Sequence, residues 1–75
     1  MMPAMSLQIT FIDANTDEDE TKHVVLVDGA LHYLIEVAND EGQLGNWSVL
    51  DADKLPVEQR RAEAIIRAYQ ALGRP

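Results

Sequence analysis

The sequence predicts an α+β domain, an antiparallel meander of three to four strands with one C-terminal helix packed on one face. Two observations carry this. Residues 6 to 38 hold three β-rich segments, two of them flanking an Asp-Gly dipeptide. Residues 56 to 72 switch to the spacing of an amphipathic helix. With 75 residues the chain is one small domain, in a size range where a single core is only marginally stabilising.

In SLQITFI, Leu7, Ile9 and Phe11 alternate with Ser6, Gln8 and Thr10, the period of a half-buried strand. DANTDEDET follows at residues 13 to 21, nine residues with no strongly apolar member and five carboxylates, Asp13, Asp17, Glu18, Asp19 and Glu20. It reads as an acidic loop. KHVVLV and ALHYLIEVA then flank Asp28-Gly29, which supplies the two positive-φ positions of a type I′ turn. That turn sets Val27 opposite Ala30, and the register continues through Leu26 with Leu31, Val25 with His32, Val24 with Tyr33 and His23 with Leu34.

One face of this hairpin carries Val24, Leu26, Leu31, Tyr33, Ile35 and Val37 and is expected to be the core. The other carries His23, Val25, Val27, Ala30, His32, Leu34 and Glu36. It is too apolar for an ordinary solvated surface, so another strand, a subunit or a partner is expected to cover part of it.

NDEGQLGN is a turn-rich connection, and NWSVL reads as a short fourth strand with Trp47 and Val49 on one side. In the helix of residues 56 to 72, Pro56 fits the first turn, Glu58 favours the positive end of the dipole, and Gly73 is a stop signal. Ala62, Ile65, Tyr69 and Leu72 form its apolar stripe, widened by Val57 and Ile66. Arg60, Glu63, Arg67, Gln70 and Arg74 lie opposite. Residues 1 to 5 are expected to fray.

The absence of cysteine excludes disulfides, thiolate zinc sites and cysteine nucleophiles. A signal sequence and a membrane span are not legible, and a cytoplasmic protein is expected. The net charge of −7 argues against nucleic acid or a membrane as a direct ligand. Its distribution is uneven, with −10 over residues 1 to 53 and +3 from Lys54 onward.

Asp13, Asn15 and Asp17 occupy the first, third and fifth places of a calcium loop of the EF-hand type. The sixth place, which needs glycine, is Glu18, and the twelfth, which needs a carboxylate, is Val24, so no metal site is expected there. His23 and His32 lie diagonally on one hairpin face, but no third ligand is fixed. Ser6 and Ser48 lack the context of a nucleophile, and the scattered glycines make no phosphate loop. Neither catalysis nor a cofactor is expected.

What remains is binding. The expected function is that of a non-catalytic adaptor or inhibitor, docking on a basic surface of a larger protein, for example a polymerase or nuclease. The acidic residues Asp13, Asp17, Glu18, Asp19 and Glu20 would steer the encounter. His23, Val25, His32 and Leu34, on the half-apolar hairpin face, would supply contact area. Strict mimicry of DNA is disfavoured, because a mobile loop does not hold carboxylates at phosphate-like positions. The alternative is a self-associating structural protein, a homodimer or higher, whose acidic loop only solvates.

Overall fold

The computed structural model describes residues 7 to 38 and 44 to 72. Four strands, β1 (Ile9–Asp17), β2 (Glu20–Val27), β3 (Ala30–Ala38) and β4 (Leu44–Leu50), form one antiparallel sheet in the order β1-β2-β3-β4. One helix, α1 (Gln59–Gln70), packs across it. The predicted α+β meander with a C-terminal helix is the observed architecture. The expected fraying of residues 1 to 5, most of the NDEGQLGN connection and the stop at Gly73 fall outside the described residues.

The central hairpin has the register that its turn dictates. Val27 pairs with Ala30, and the ladder runs through Val25 with His32 and His23 with Leu34. Asp28 and Gly29 have φ of 52° and 86°, the two left-handed positions of a type I′ turn. The Asp28 N–H donates to the Gln8 carbonyl at 2.8 Å, and the Asp28 carboxylate accepts from the Gln8 N–H at 2.9 Å. The turn is thereby tied to the chain entering β1. A Cβ added at Gly29 would meet nothing within 4 Å, so the cost of a side chain there is conformational alone. Gly29→Ala is expected to lower stability by about 1 kcal/mol, and Gly29→Asn by less, since asparagine tolerates this region better. Urea unfolding midpoints check this, and equal losses for the two variants would contradict it.

The covered face is the reverse of the expected one. Val25, Val27 and Leu34 are 0% exposed beneath α1, with Val49, Ile65 and Tyr69 completing the buried core. Val24, Leu26, Leu31, Tyr33 and Ile35 are only half-buried on the opposite face, and Val37 is exposed. Two features decide this inversion. The first is a bulge in β1: the register shifts between Phe11 and Asp13, leaving Ile12 as an extra residue. Asp13 pairs with Val24, but Phe11 pairs with Val25 and Ile9 with Val27. Were Ile12 taken into the ladder opposite Val25, alternation would carry Phe11 and Ile9 to the other side of the sheet. With Ile12 bulged out, Leu7, Ile9 and Phe11 join the core beneath the helix. The second feature is that the polar residues of the covered face satisfy one another, as described below.

Residues 13 to 21 are not a loop. β1 continues to Asp17, Glu18 and Asp19 make a tight turn, and β2 starts at Glu20. Thr16 pairs with Thr21 in the ladder, and their hydroxyls are 3.0 Å apart. β-Propensity at the threonines and pairing with β2 override the acidic composition.

β4 behaves as expected on one point: Trp47 and Val49 share the helix face, paired with Glu36 and Leu34. Beyond β4 the chain doubles back. Asp51 accepts from the N–H groups of Asp53, Lys54 and Leu55, Pro56 bridges to Leu50, and Val57 donates to the Val49 carbonyl at 3.0 Å. Pro56 is therefore spent on the sheet edge and not on the first helical turn. The helix begins at Gln59, with Glu58 as N-cap accepting from the N–H groups of Arg60 and Arg61 at 3.3 Å each. Ile65 and Tyr69 are buried as the stripe requires, with Ala62, Ile66 and Val57 packed beside them. Leu72, expected in that stripe, is 47% exposed, because the helix has ended at Gln70.

Candidate functional site

Three places in this fold gather chemistry: a polar cluster under the helix, the acidic end of the first hairpin, and the uncovered face of the sheet.

The polar cluster centres on His23. Its Nε2 lies 3.1 Å from Glu36 Oε1 on β3, and its Nδ1 lies 2.8 Å from the Tyr69 hydroxyl on α1. Because a carboxylate only accepts, Nε2–H donates to Glu36, and Nδ1 can accept from the Tyr69 O–H. The ring is stacked on Trp47, with centroids 5.2 Å apart and planes at 17°, and meets the Tyr69 ring edge-on at 5.0 Å. Helix, β2, β3 and β4 are therefore joined through one imidazole. The arrangement orients the histidine as a relay would, but three-quarters or more of each side chain is enclosed, and its chemistry is that of a satisfied core.

His32 is separate. It is 6% exposed, and its Nδ1–H donates to the Ala30 carbonyl at 2.9 Å. The two histidines thus have different partners, and among the described residues no three His, Cys, Asp or Glu side chains are grouped to hold a metal ion. Asp13, Asn15 and Asp17 lie along one face of a strand, which is not the geometry of a calcium loop. The Asp13 carboxylate instead accepts from the Ala14 N–H and the Asn15 amide.

The expected contact residues therefore divide. Val25, His32, Leu34 and most of His23 are enclosed beneath α1 and offer no surface to a partner. Asp13, Asp17, Glu18, Asp19 and Glu20 are all exposed. They stand on paired strands and a two-residue turn, so the objection that a mobile loop cannot fix them does not hold. The tip is anchored from β3, where the Ala38 N–H donates to the Asp19 carbonyl at 2.9 Å. Asp17 sits directly opposite Glu20, a like-charge pair that costs a few tenths of a kcal/mol or more. Glu18 adopts a left-handed φ of 57°. Asn15, Asp17, Glu20 and Lys22 line a shallow depression beside the turn.

The uncovered face was read from the sequence as core and is instead the surface that composition alone would miss. Val24 and Leu26 on β2, Leu31, Tyr33, Ile35 and Val37 on β3, and Leu50 on β4 share it by register. Lys22 and Lys54 hold their ammonium groups 5.8 and 5.7 Å from the centre of the Tyr33 ring. Among the described residues no element packs over this face. On the outer side of α1, Arg60, Arg61, Glu63, Arg67 and Gln70 are exposed. No helix of the described residues is long and apolar enough to cross a membrane.

Comparison with known protein families, with characterised proteins and with solved structures returned no match.

Proposed function

We propose that this chain is a non-catalytic docking domain, an adaptor or inhibitor, that seats the acidic end of its β1–β2 hairpin on a basic surface of a larger protein. The observation that carries the reading is the placement of Asp13, Asp17, Glu18, Asp19 and Glu20 together at one end of a hydrogen-bonded hairpin. Lys22 is the one base within that stretch. Solubility alone does not require Asp17 opposite Glu20, a pairing that works against the hairpin and gains only when cations arrive between the two carboxylates.

Carboxylates held this way steer a cationic partner and repel acidic ones. Proteins that grip nucleic acid expose basic channels, which makes a polymerase, a nuclease or a similar machine the partner class that charge favours. The shallow depression between Asn15, Asp17, Glu20 and Lys22 suits a single arginine or lysine side chain of such a surface.

The test is affinity capture from host lysate with the tagged chain at low and moderate salt, beside a variant carrying Asp17→Asn, Glu18→Gln, Asp19→Asn and Glu20→Gln. A stoichiometric protein is expected with the parent, weakened by salt and reduced at least about tenfold with the variant. Equal recovery by both forms at both salt concentrations would refute docking through the tip.

A further inference from the structure

The uncovered sheet face has the chemistry of an interface and a charge pattern that selects its occupant. By register it forms four rows across the sheet. Thr10, Leu26 and Leu31 make one; Asp13, Val24, Tyr33 and Leu50 the next; then Asn15, Lys22, Ile35 and Ser48; and last Asp17, Glu20, Val37 and Asn46. The middle is apolar apart from Lys22. Acids gather at the β1 side, and Lys54, folded back from the turn after β4 at a φ of 64°, reaches over Tyr33 from the other.

We propose that this face pairs with the same face of a second copy, forming a two-layer sheet sandwich with α1 on each outer side. The pairing goes beyond docking through the hairpin tip and does not depend on it.

Only one two-fold arrangement fits the charges. An axis lying across the strands lays β1 over β1 and sets the acidic edges together. An axis lying along the strands lays β1 over β4 of the second copy and β2 over its β3. Asp13 then comes beside Lys54 of the second copy, and the reciprocal pair forms at the other edge. Val24 and Leu26 meet Tyr33 and Leu31 of the second copy, apolar on apolar. Lys22, diagonal to Asp13 and Asp17 across the ladder, can turn its ammonium to these carboxylates of its own chain when Tyr33 is covered.

A head-to-tail contact is disfavoured by the same reasoning. It would set the apolar face against the polar outer side of α1, with Arg60, Glu63, Arg67 and Gln70. The area is sufficient. Four strands about 4.8 Å apart and four rows about 6.8 Å apart make a face of roughly 19 by 27 Å, and covering two such faces removes on the order of 1,000 Å² from water, the lower bound of a specific interface. The along-strand axis also keeps both hairpin turns at the same end of the sandwich, so the pair would present Glu18 and Asp19 of each copy bivalently.

Sedimentation velocity between about 1 μM and 1 mM tests this, a range that spans the affinity of an interface of this size. A monomer–dimer equilibrium without larger species is expected. Tyr33→Glu, on a face that the helix does not touch, is expected to raise the dimer dissociation constant at least about 100-fold. Asp13→Lys and Lys54→Glu should each weaken the dimer roughly tenfold, and the two together should recover it to within about threefold. Unchanged circular dichroism and Trp47 emission establish that each variant is folded. A parent that stays monomeric at 1 mM, or an open series of oligomers, would overturn the proposal. A double variant as weak as the singles would overturn the two-fold arrangement. Tyr33→Glu leaves the acidic tip intact and should still capture the basic partner, so loss of pairing and loss of capture are separable.

Discussion

Leu34→Ala is expected to remove about 3–5 kcal/mol of folding free energy, a large share of the roughly 5–15 kcal/mol that holds a domain of this kind together. Leu34 is 0% exposed beneath α1 and lies between His23 on β2 and Val49 on β4, so its truncation leaves a cavity in the middle of the core. Leu31→Ala is the control. Leu31 is half-buried on the uncovered face, and its truncation should cost less than about 1.5 kcal/mol. Urea unfolding of the two variants separates the readings. Equal losses would mean that the helix does not single out the Leu34 face. Ile12, 48% exposed and outside the ladder, should be far less costly to remove: its deletion joins Phe11 to Asp13 and leaves Phe11 opposite Val25 and Ile9 opposite Val27 in a regular ladder.

The second large effect is expected at His23. His23→Ala takes away the donor to Glu36, a partner of the Tyr69 hydroxyl and the ring stacked on Trp47. Leaving a carboxylate part-buried without its donor costs more than the lost hydrogen bond was worth, and a loss of about 2–4 kcal/mol is expected. Pairing His23→Leu with Glu36→Leu should recover much of this, because it removes the orphaned carboxylate and keeps apolar volume. Equilibrium unfolding with Trp47 emission as the probe reads both the stability and the loss of the stack. Equal losses for the single alanine variant and the leucine pair would show that packing around the ring, not hydrogen bonding, is what His23 supplies.

The two predictions share a lesson about what a sequence exposes. The hairpin at Asp28-Gly29 was readable because its information is local: two adjacent residues that tolerate left-handed φ fix every pair from Val27–Ala30 to His23–Leu34. The helix was readable because Ile65 and Tyr69 recur at its period. Its start was misplaced by three residues, because the use of Pro56 at the edge of β4 depends on a strand that precedes it in the chain by six positions or more.

The candidate site was legible only in part. That Asp13, Asp17, Glu18, Asp19 and Glu20 are exposed follows from composition. Their rigid placement does not, since a run of carboxylates carries the signature of a loop and only pairing with Lys22 to Glu20 makes it a hairpin. Choosing the more apolar hairpin face as core failed for a definable reason. A face with His23, His32 and Glu36 looks unfit for burial residue by residue, yet Glu36, Tyr69 and the Ala30 carbonyl satisfy the imidazoles once the elements meet. A usable signal was present in the alternation of Leu7, Ile9 and Phe11, but its phase relative to β2 turns on a single bulged residue.

By itself, then, the sequence determined the local terms: the strands, the Asp28-Gly29 turn and its register, the amphipathic helix and the uneven charge. Only the tertiary structure decided which side of the sheet the helix covers and which side is left for a partner. The physical reason is that alternation along a strand has two phases of nearly equal merit. The choice between them is made by contacts distant in sequence, between β1 and β2 across the bulge and between His23 and Tyr69 across the core.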